Sequence, residues 1–166
     1  MFLVMNRIGI PGWKENIAFK NLKFESVKKL KIMEIKAIEA SQTWEIRHKV
    51  MWPDQPIEFV QLEEDDLGLH FGVFDQEKLV SIVSCFVVDQ EMQFRKLATL
   101  EEFQGKGIAS ELLNFIFKSA REQNLRKIWC NARSNKKLFY EKFGMTDTHK
   151  KFSKEGQEFT IMEVLL

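Results

Sequence analysis

The stretch FRKLATLEEFQGKGIASELLNFIF, residues 94–117, decides the fold, because the texture of the chain changes inside it. Up to Leu100 it closes a β-rich run. From Gly107 onward Ile108, Leu112, Phe115 and Ile116 fall at offsets of four, seven and eight, one face of an amphipathic helix. Glu111, Asn114, Lys118 and Arg121 face elsewhere. Between the two halves lies Gln104-Gly105-Lys106-Gly107-Ile108-Ala109. The first turn of a helix carries N–H groups without internal partners and the positive end of the helix dipole. Glycines there remove side chains that would keep an anion from those donors, and Lys106 adds charge at the rim. This arrangement predicts a site for a phosphate or pyrophosphate. Two glycines alone are equally well read as a tight strand-to-helix turn. A Walker loop requires GxxxxGK[ST] and a dinucleotide fingerprint GxGxxG; the residue three after Gly107 is Ser110, so neither is present.

Working outward, residues 32–38 alternate apolar and polar and read as a strand. Ser41 is the expected cap of a helix carrying Trp44, Ile46, Arg47 and Val50, ending near Trp52 because Pro53 disfavours helix before it. Residues 51–59 form a loop with bulky apolar side chains, and Glu63 to Asp66 reads as a solvated turn. Runs 69–74, 79–88 and 91–100, joined by short polar turns, predict an antiparallel meander. After the helix, KIWCNA (127–132) reads as a buried strand. Ser134 is the expected cap of a short helix with Leu138, Phe139 and Phe143 inward and Gly144 as its stop. Strands at 146–152 and 158–165 flank a turn at Gly156. The order is β-α-(α)-β-β-β-α-β-α-β-β, a mixed α/β (α+β) fold. It has a central, mostly antiparallel sheet flanked by helices, one β-α-β crossover, no internal repeat and no second domain.

The 166 residues suffice for one domain with a real core. Lys and Arg number 25 against 24 acidic residues, a balance that argues against a general nucleic-acid binder. Cys85 and Cys130 sit in apolar runs and are expected to be buried thiols. No HExxH or CxxC pattern adds ligands, so no metal is expected. A reducing, cytoplasmic setting fits such thiols. Residues 1–11 lack the charged flank and cleavage site of a secretory signal, and no run is long enough to span a membrane. Residues 1–30 are weakly patterned and are treated as an N-terminal extension, with the domain at 31–166; Met33 is itself a candidate start.

The QGKGIA element matches the Q/R-x-x-G-x-G/A signature of the GNAT superfamily of acyl-CoA-dependent N-acyltransferases. LFYEKFGM (138–145) resembles that superfamily's FYEKxGF segment, with Met145 in place of Phe, and the order of elements from about residue 33 to 165 resembles its fold. The resemblance implies acetyl-CoA as acyl donor and an amine acceptor, small molecule or peptide, without nucleic acid or membrane; a homodimer is left open. It implies that main-chain N–H groups of Gln104, Gly105, Lys106, Gly107, Ile108 and Ala109 bind the pyrophosphate. Leu97, Ala98 and Thr99 would pair with the pantetheine arm, in a slot between this strand and KIWCNA. An N–H near Thr99 or Leu100 would polarise the thioester carbonyl, and Tyr140 would protonate the departing thiolate. Where relatives often carry Asn seven residues before this Tyr, this chain has Arg133, flanked by Asn131 and Asn135, so that cofactor contact stays open among the three.

Direct attack by the amine is expected, so Cys130 is not expected to act as a nucleophile. His70, Glu101 and Glu102 are candidates for the base. Arg95 alternates with Leu97 and Thr99 and is a candidate for holding an acidic substrate group. Trp52, with Met51, Pro53 and Phe59, forms a partly apolar lid over the acceptor. Two other readings have their own signatures: a non-catalytic acyl-CoA sensor on the same fold, and a nucleotide-binding module using the glycine bend.

Overall fold

The computed structural model describes residues 22–25 and 32–166. Its strands are β1 (Leu22–Glu25), β2 (Ile32–Ile38), β3 (Leu69–Asp75), β4 (Lys78–Val88), β5 (Glu91–Thr99), β6 (Lys127–Arg133), β7 (Thr146–Lys154) and β8 (Gln157–Leu165). Helices α1 (Ala40–Met51), α2 (Ile108–Glu122) and α3 (Lys137–Glu141) complete the described elements, with short 3-10 turns between them. The eight strands form one sheet in the order β1-β2-β3-β4-β5-β6-β8-β7. Among the described strands only β5 and β6 run parallel, as the crossover through α2 requires. The mixed α/β architecture anticipated from the pattern is therefore the one observed. The extension adds an edge strand, β1, antiparallel to β2; the rest of residues 1–31 lies outside the described residues.

The two faces of the sheet bury different layers. Leu112, Leu113 and Ile116 of α2 pack on Val83, Cys85, Met92, Phe94, Ile128 and Met162 of the sheet, all nearly or fully inaccessible. Ile46 of α1 forms a smaller layer with Ile82 and Ala98 of the sheet, with Ile38, Val50, Met51, Leu79 and Leu100 at its edge. Alternation along β4 and β5 distributes these residues to the two sides, as period-2 patterning demands. Both cysteines are buried, and burial pushes both thiols up.

Several local expectations are corrected. The N-cap of α1 is Glu39, whose N–H donates to Gln42 Oε1 (2.9 Å), and Ser41 is exposed within the first turn. Ser134 opens a 3-10 turn ahead of α3 rather than capping it. Leu138 points outward, 75% exposed, because α3 is too short to cover two faces, while Phe139 and Phe143 pack on the core. Gly144 ends that segment at φ +78°, a left-handed conformation that glycine adopts without steric cost.

Candidate functional site

The ladder between β5 and β6 is brief. Glu91, Met92 and Gln93 pair with Lys127, Ile128 and Trp129, and there the pairing stops. From Phe94 to Thr99, β5 is held only by β4, and from Cys130 to Arg133, β6 is held only by β8. Two parallel strands that part in mid-sheet leave main-chain donors and acceptors facing a gap, and such groups need partners.

Tyr140 sits where the strands part. Its ring packs against Phe94 (centroids 5.8 Å apart) and Phe139 (5.2 Å), the first of these being the first residue of β5 beyond the ladder. Among the described residues its hydroxyl has no hydrogen-bond partner. Burial, and after it the neighbouring Cys130, push the phenol well up, against a smaller opposing effect of the Arg133 charge. The side chain is therefore a phenol, not a phenolate, across the neutral range.

The bend before α2 lies at the carboxyl end of β5. Gly105 and Gly107 take φ values of +69° and +83°, and a Cβ built on either would meet nothing within 4 Å. Space therefore does not demand these glycines; backbone conformation does. The first backbone bond of the helix runs from Glu111 N–H to Gly107 carbonyl (3.0 Å). Among the described residues no protein group accepts from the N–H of Gly105, Lys106, Gly107, Ile108 or Ala109. Phe103 and Gln104 are instead tied back to Leu100 and Glu101 by a 3-10 turn. Lys106 Nζ donates to the Glu102 carbonyl and lies over the Phe103 ring, 4.9 Å from its centroid.

Main-chain geometry separates the two candidate donors at the end of β5. Leu100 N–H donates to the Val80 carbonyl (2.9 Å) and so belongs to the β4 ladder. Antiparallel pairing alternates, so Thr99 turns its main chain away from β4. Its carbonyl accepts from Gln104 Nε2 (2.9 Å), and its hydroxyl meets Ser81 Oγ (2.8 Å).

Upstream, β5 contains a bulge. Arg95 pairs with Ser84 and Ala98 with Ile82, leaving Lys96 and Leu97 opposite Val83 alone. Lys96 has φ +58°, unusual for a side chain with a Cβ. The bulge breaks the alternation expected for this strand. Leu97 packs with the α2 layer, whereas Arg95 lies on the α1 face, over the Phe86 ring (5.4 Å) and 3.6 Å from Glu64. Arg95 thus does not share a face with Leu97 and Thr99.

A buried polar chain that sequence reasoning missed ties α1 to the segment ahead of β3 and to β4. Arg47, fully buried on α1, donates from both terminal nitrogens to the Asp65 carboxylate (2.8 Å each). It also donates to Ser84 Oγ (2.8 Å) and the Val60 carbonyl (3.1 Å). Trp44 Nε1 and Leu62 N–H donate to the same carboxylate. Burial raises the Asp65 carboxyl, but Arg47, Leu62 and Trp44 together more than offset this and hold it below the usual range. The acidic run is therefore not simply a solvated turn: Asp65 is an internal counter-ion, although Glu63, Glu64 and Asp66 are exposed.

His70 belongs to the same chain. Its Nε2 lies 2.8 Å from the Asp65 carbonyl, which can only accept, so Nε2 carries the proton. Nδ1 then accepts from the Ser84 hydroxyl (2.8 Å). Both ring nitrogens are engaged within the protein. Of the other candidate bases, Glu102 is ion-paired with Lys78 (2.9 Å), which lowers its pKa, and Glu101 is exposed. Trp52 packs edge-to-face on Phe59 (5.2 Å) in the loop after α1. Asn131 and Asn135 are exposed, at the end of β6 that pairs with β8 alone and in the turn after it, with Arg133 half-buried between them.

Among the described residues no helix is long and apolar enough to cross a membrane. A profile of the acetyltransferase (GNAT) domain matches residues 39–166. The chain is 31% identical over 134 residues to the uncharacterized N-acetyltransferase YitI of Bacillus subtilis, covering 75% of this chain and 90% of that one. Among solved structures it superimposes on a GNAT family acetyltransferase of Elizabethkingia anophelis with acetyl-CoA bound, at TM-score 0.65 and 16% identity. That match covers 81% of this chain and 98% of that one. It also superimposes on the ribosomal-protein-S18-alanine N-acetyltransferase of Escherichia coli, at TM-score 0.66 and 16% identity, covering 80% and 93%. The parted strands, the bare bend and these matches agree: the chain belongs to the GNAT acetyltransferase family and is an acyl-CoA-dependent N-acyltransferase.

Proposed function

We propose that this chain transfers an acetyl group from acetyl-CoA to an amine by direct attack of the amine on the thioester. The parting of β5 and β6, with Tyr140 where the ladder ends and unoccupied N–H groups at the bend before α2, is the observation that carries this reading. The N–H groups from Gly105 to Ala109 bind the pyrophosphate, using the field at the amino end of α2. The main chain of Leu97 and Thr99 pairs with the pantetheine amides, taking the place of the missing β6 ladder, while Ala98 stays on the β4 ladder with its carbonyl accepting from Ser81 Oγ (3.0 Å).

Thr99 N–H, turned from β4, is the donor for the thioester oxygen as it gains negative charge. An ordered donor of this kind contributes ~3–4 kcal/mol to the transition state. Tyr140, kept protonated by its surroundings, gives its proton to the thiolate as the carbon–sulfur bond breaks; such a donor contributes roughly a hundredfold. Cys130 stays a spectator, since burial holds its thiol protonated. The lid built on Trp52 and Phe59 covers the acceptor and excludes water from the reaction.

A thiol-release assay with acetyl-CoA and a mixed amine library tests the reading. Amine-dependent release of coenzyme A, lost in Tyr140→Phe, is expected. Tight acetyl-CoA binding with no release across the library, and no effect of Tyr140→Phe, identifies a sensor instead. Stabilisation by ATP or NAD but not by acetyl-CoA identifies a nucleotide module.

A further inference from the structure

The bulge in β5 places a lysine where an ordinary strand would hide or expose it. Lys96 is half-buried, at a positive φ, in the stretch of β5 that β6 has left. Among the described residues its ammonium has neither a hydrogen bond nor an ion pair. Its surroundings are cationic. Burial first, then the charges of Arg47, Arg95 and Lys154, hold it down to about 8, with Asp65 pulling the other way. Asp65 gives little to spare, because its carboxylate is already shared by Arg47, Trp44 and Leu62. Glu64 reaches Arg95 only at 3.6 Å from a half-exposed position.

A corner with this charge balance is relieved by an anion and worsened by another cation. We propose that Lys96, with Arg95 beside it, recognises an acidic group, carboxylate or phosphate, on the acceptor amine. This deepens the acetyl-transfer reading and rests on it for the position of the acceptor. Arg95 alone would be a solvated surface pair with Glu64. The bulge sets a second, half-buried cation directly after it in the strand, where charge–charge attraction is screened less than at the surface. The backbone conformation is itself an outlier of the kind that clusters at ligand-reading positions.

The test uses the full chain, with and without saturating CoA, and titrates glutarate against its neutral diamide at low ionic strength. Glutarate should raise the melting temperature of the wild type in the presence of CoA, and the diamide should not. In Lys96→Met the half-saturating glutarate concentration should rise at least tenfold, and Lys96→Arg should restore most of the response. No glutarate response, or an equal one in Lys96→Met, overturns the proposal. A matched kinetic pair extends it: kcat/KM for acidic amines such as glutamate or phosphoethanolamine should exceed that for glutamine or ethanolamine at least tenfold. Lys96→Met should erase that preference through KM rather than kcat. Turnover with no acid preference sinks this proposal and leaves acetyl transfer standing; absence of acetyl-CoA binding sinks the parent reading, whatever glutarate does.

Discussion

The two halves of β5 have opposite relations to the rest of the molecule. Glu91, Met92 and Gln93 are laddered on both sides, to β4 and to β6. From Phe94 to Thr99 the strand is laddered on one side only, contains a bulge, and ends at a bend where the N–H groups from Gly105 to Ala109 meet no acceptor among the described residues. The first half is a sheet interior, with its polar groups satisfied within the fold. The second keeps its polar groups available and is held in shape by other means: Tyr140 packed on Phe94 from one face, and the Arg47–Asp65–Ser84 chain behind Arg95 on the other. A site can thus be made from an ordinary strand by withholding one neighbour and bracing what remains.

Removing the brace should have the largest effect. Arg47→Leu leaves the Asp65 carboxylate buried without its cation, and loss of one partner of a buried pair costs about 3–5 kcal/mol. Denaturant unfolding should show this loss, and hydrogen exchange should speed up in Phe94–Thr99 more than in Glu91–Gln93. Acid should act in the same direction. The Asp65 carboxyl titrates lower in the folded chain than in the unfolded one, so its contribution is complete above the ordinary carboxylate range. That contribution is lost as pH falls through the depressed value.

Next comes the open half's chemistry. Tyr140→Phe keeps the ring contacts and removes the proton, so kcat should fall about a hundredfold with little change in acetyl-CoA binding. Because burial raises this phenol, the wild-type rate should show no alkaline decline from Tyr140 in the range where an ordinary tyrosine would ionise.

Gly107→Val tests the bend. At φ +83° a β-branched residue costs roughly 1–2 kcal/mol, and an added Cβ meets nothing within 4 Å, so backbone conformation sets the cost. Acetyl-CoA should bind about tenfold more weakly, with the ladder of the closed half undisturbed.

The smallest expected effect concerns Lys96. Its pKa of about 8 against a usual 10.5 means that the unfolded chain binds the extra proton between those values. Stability from this group therefore rises with pH across that window and is lowest below pH 8. The melting temperature of Lys96→Met should exceed the wild type below pH 8, and the advantage should shrink toward pH 10.5. Lys96→Gly, which also relieves the positive φ, should stabilise by ~1 kcal/mol more than removal of the charge alone.

Much of the closed half is legible in sequence, because period-2 runs and the α2 stripe are consequences of burial that repeat along the chain. The bend and Tyr140 are legible through short motifs whose spacing is local. The braces are not. Arg47 sits on α1 and Asp65 in an acidic run 18 residues on, so their pairing appears only when α1 and the 3-10 turn that opens with Asp65 come together over Ser84. The bulge leaves no signal either. Lys96 contradicts the local preference for glycine at positive φ, and only the register of Arg95 with Ser84 and of Ala98 with Ile82 reveals it. The expected alternation of Arg95 with Leu97 and Thr99 fails for that reason, and the expected role for Leu100 N–H meets a bond to Val80 that strand patterning does not specify.

Residue-resolved amide exchange with and without acetyl-CoA tests the central claim most directly. Protection is predicted to appear at Gly105–Ala109 and at Leu97 and Thr99, while Glu91–Gln93, already laddered on both sides, stay unchanged. Protection confined to other surfaces, or none at the bend and the open half of β5 under saturating acetyl-CoA, would contradict it.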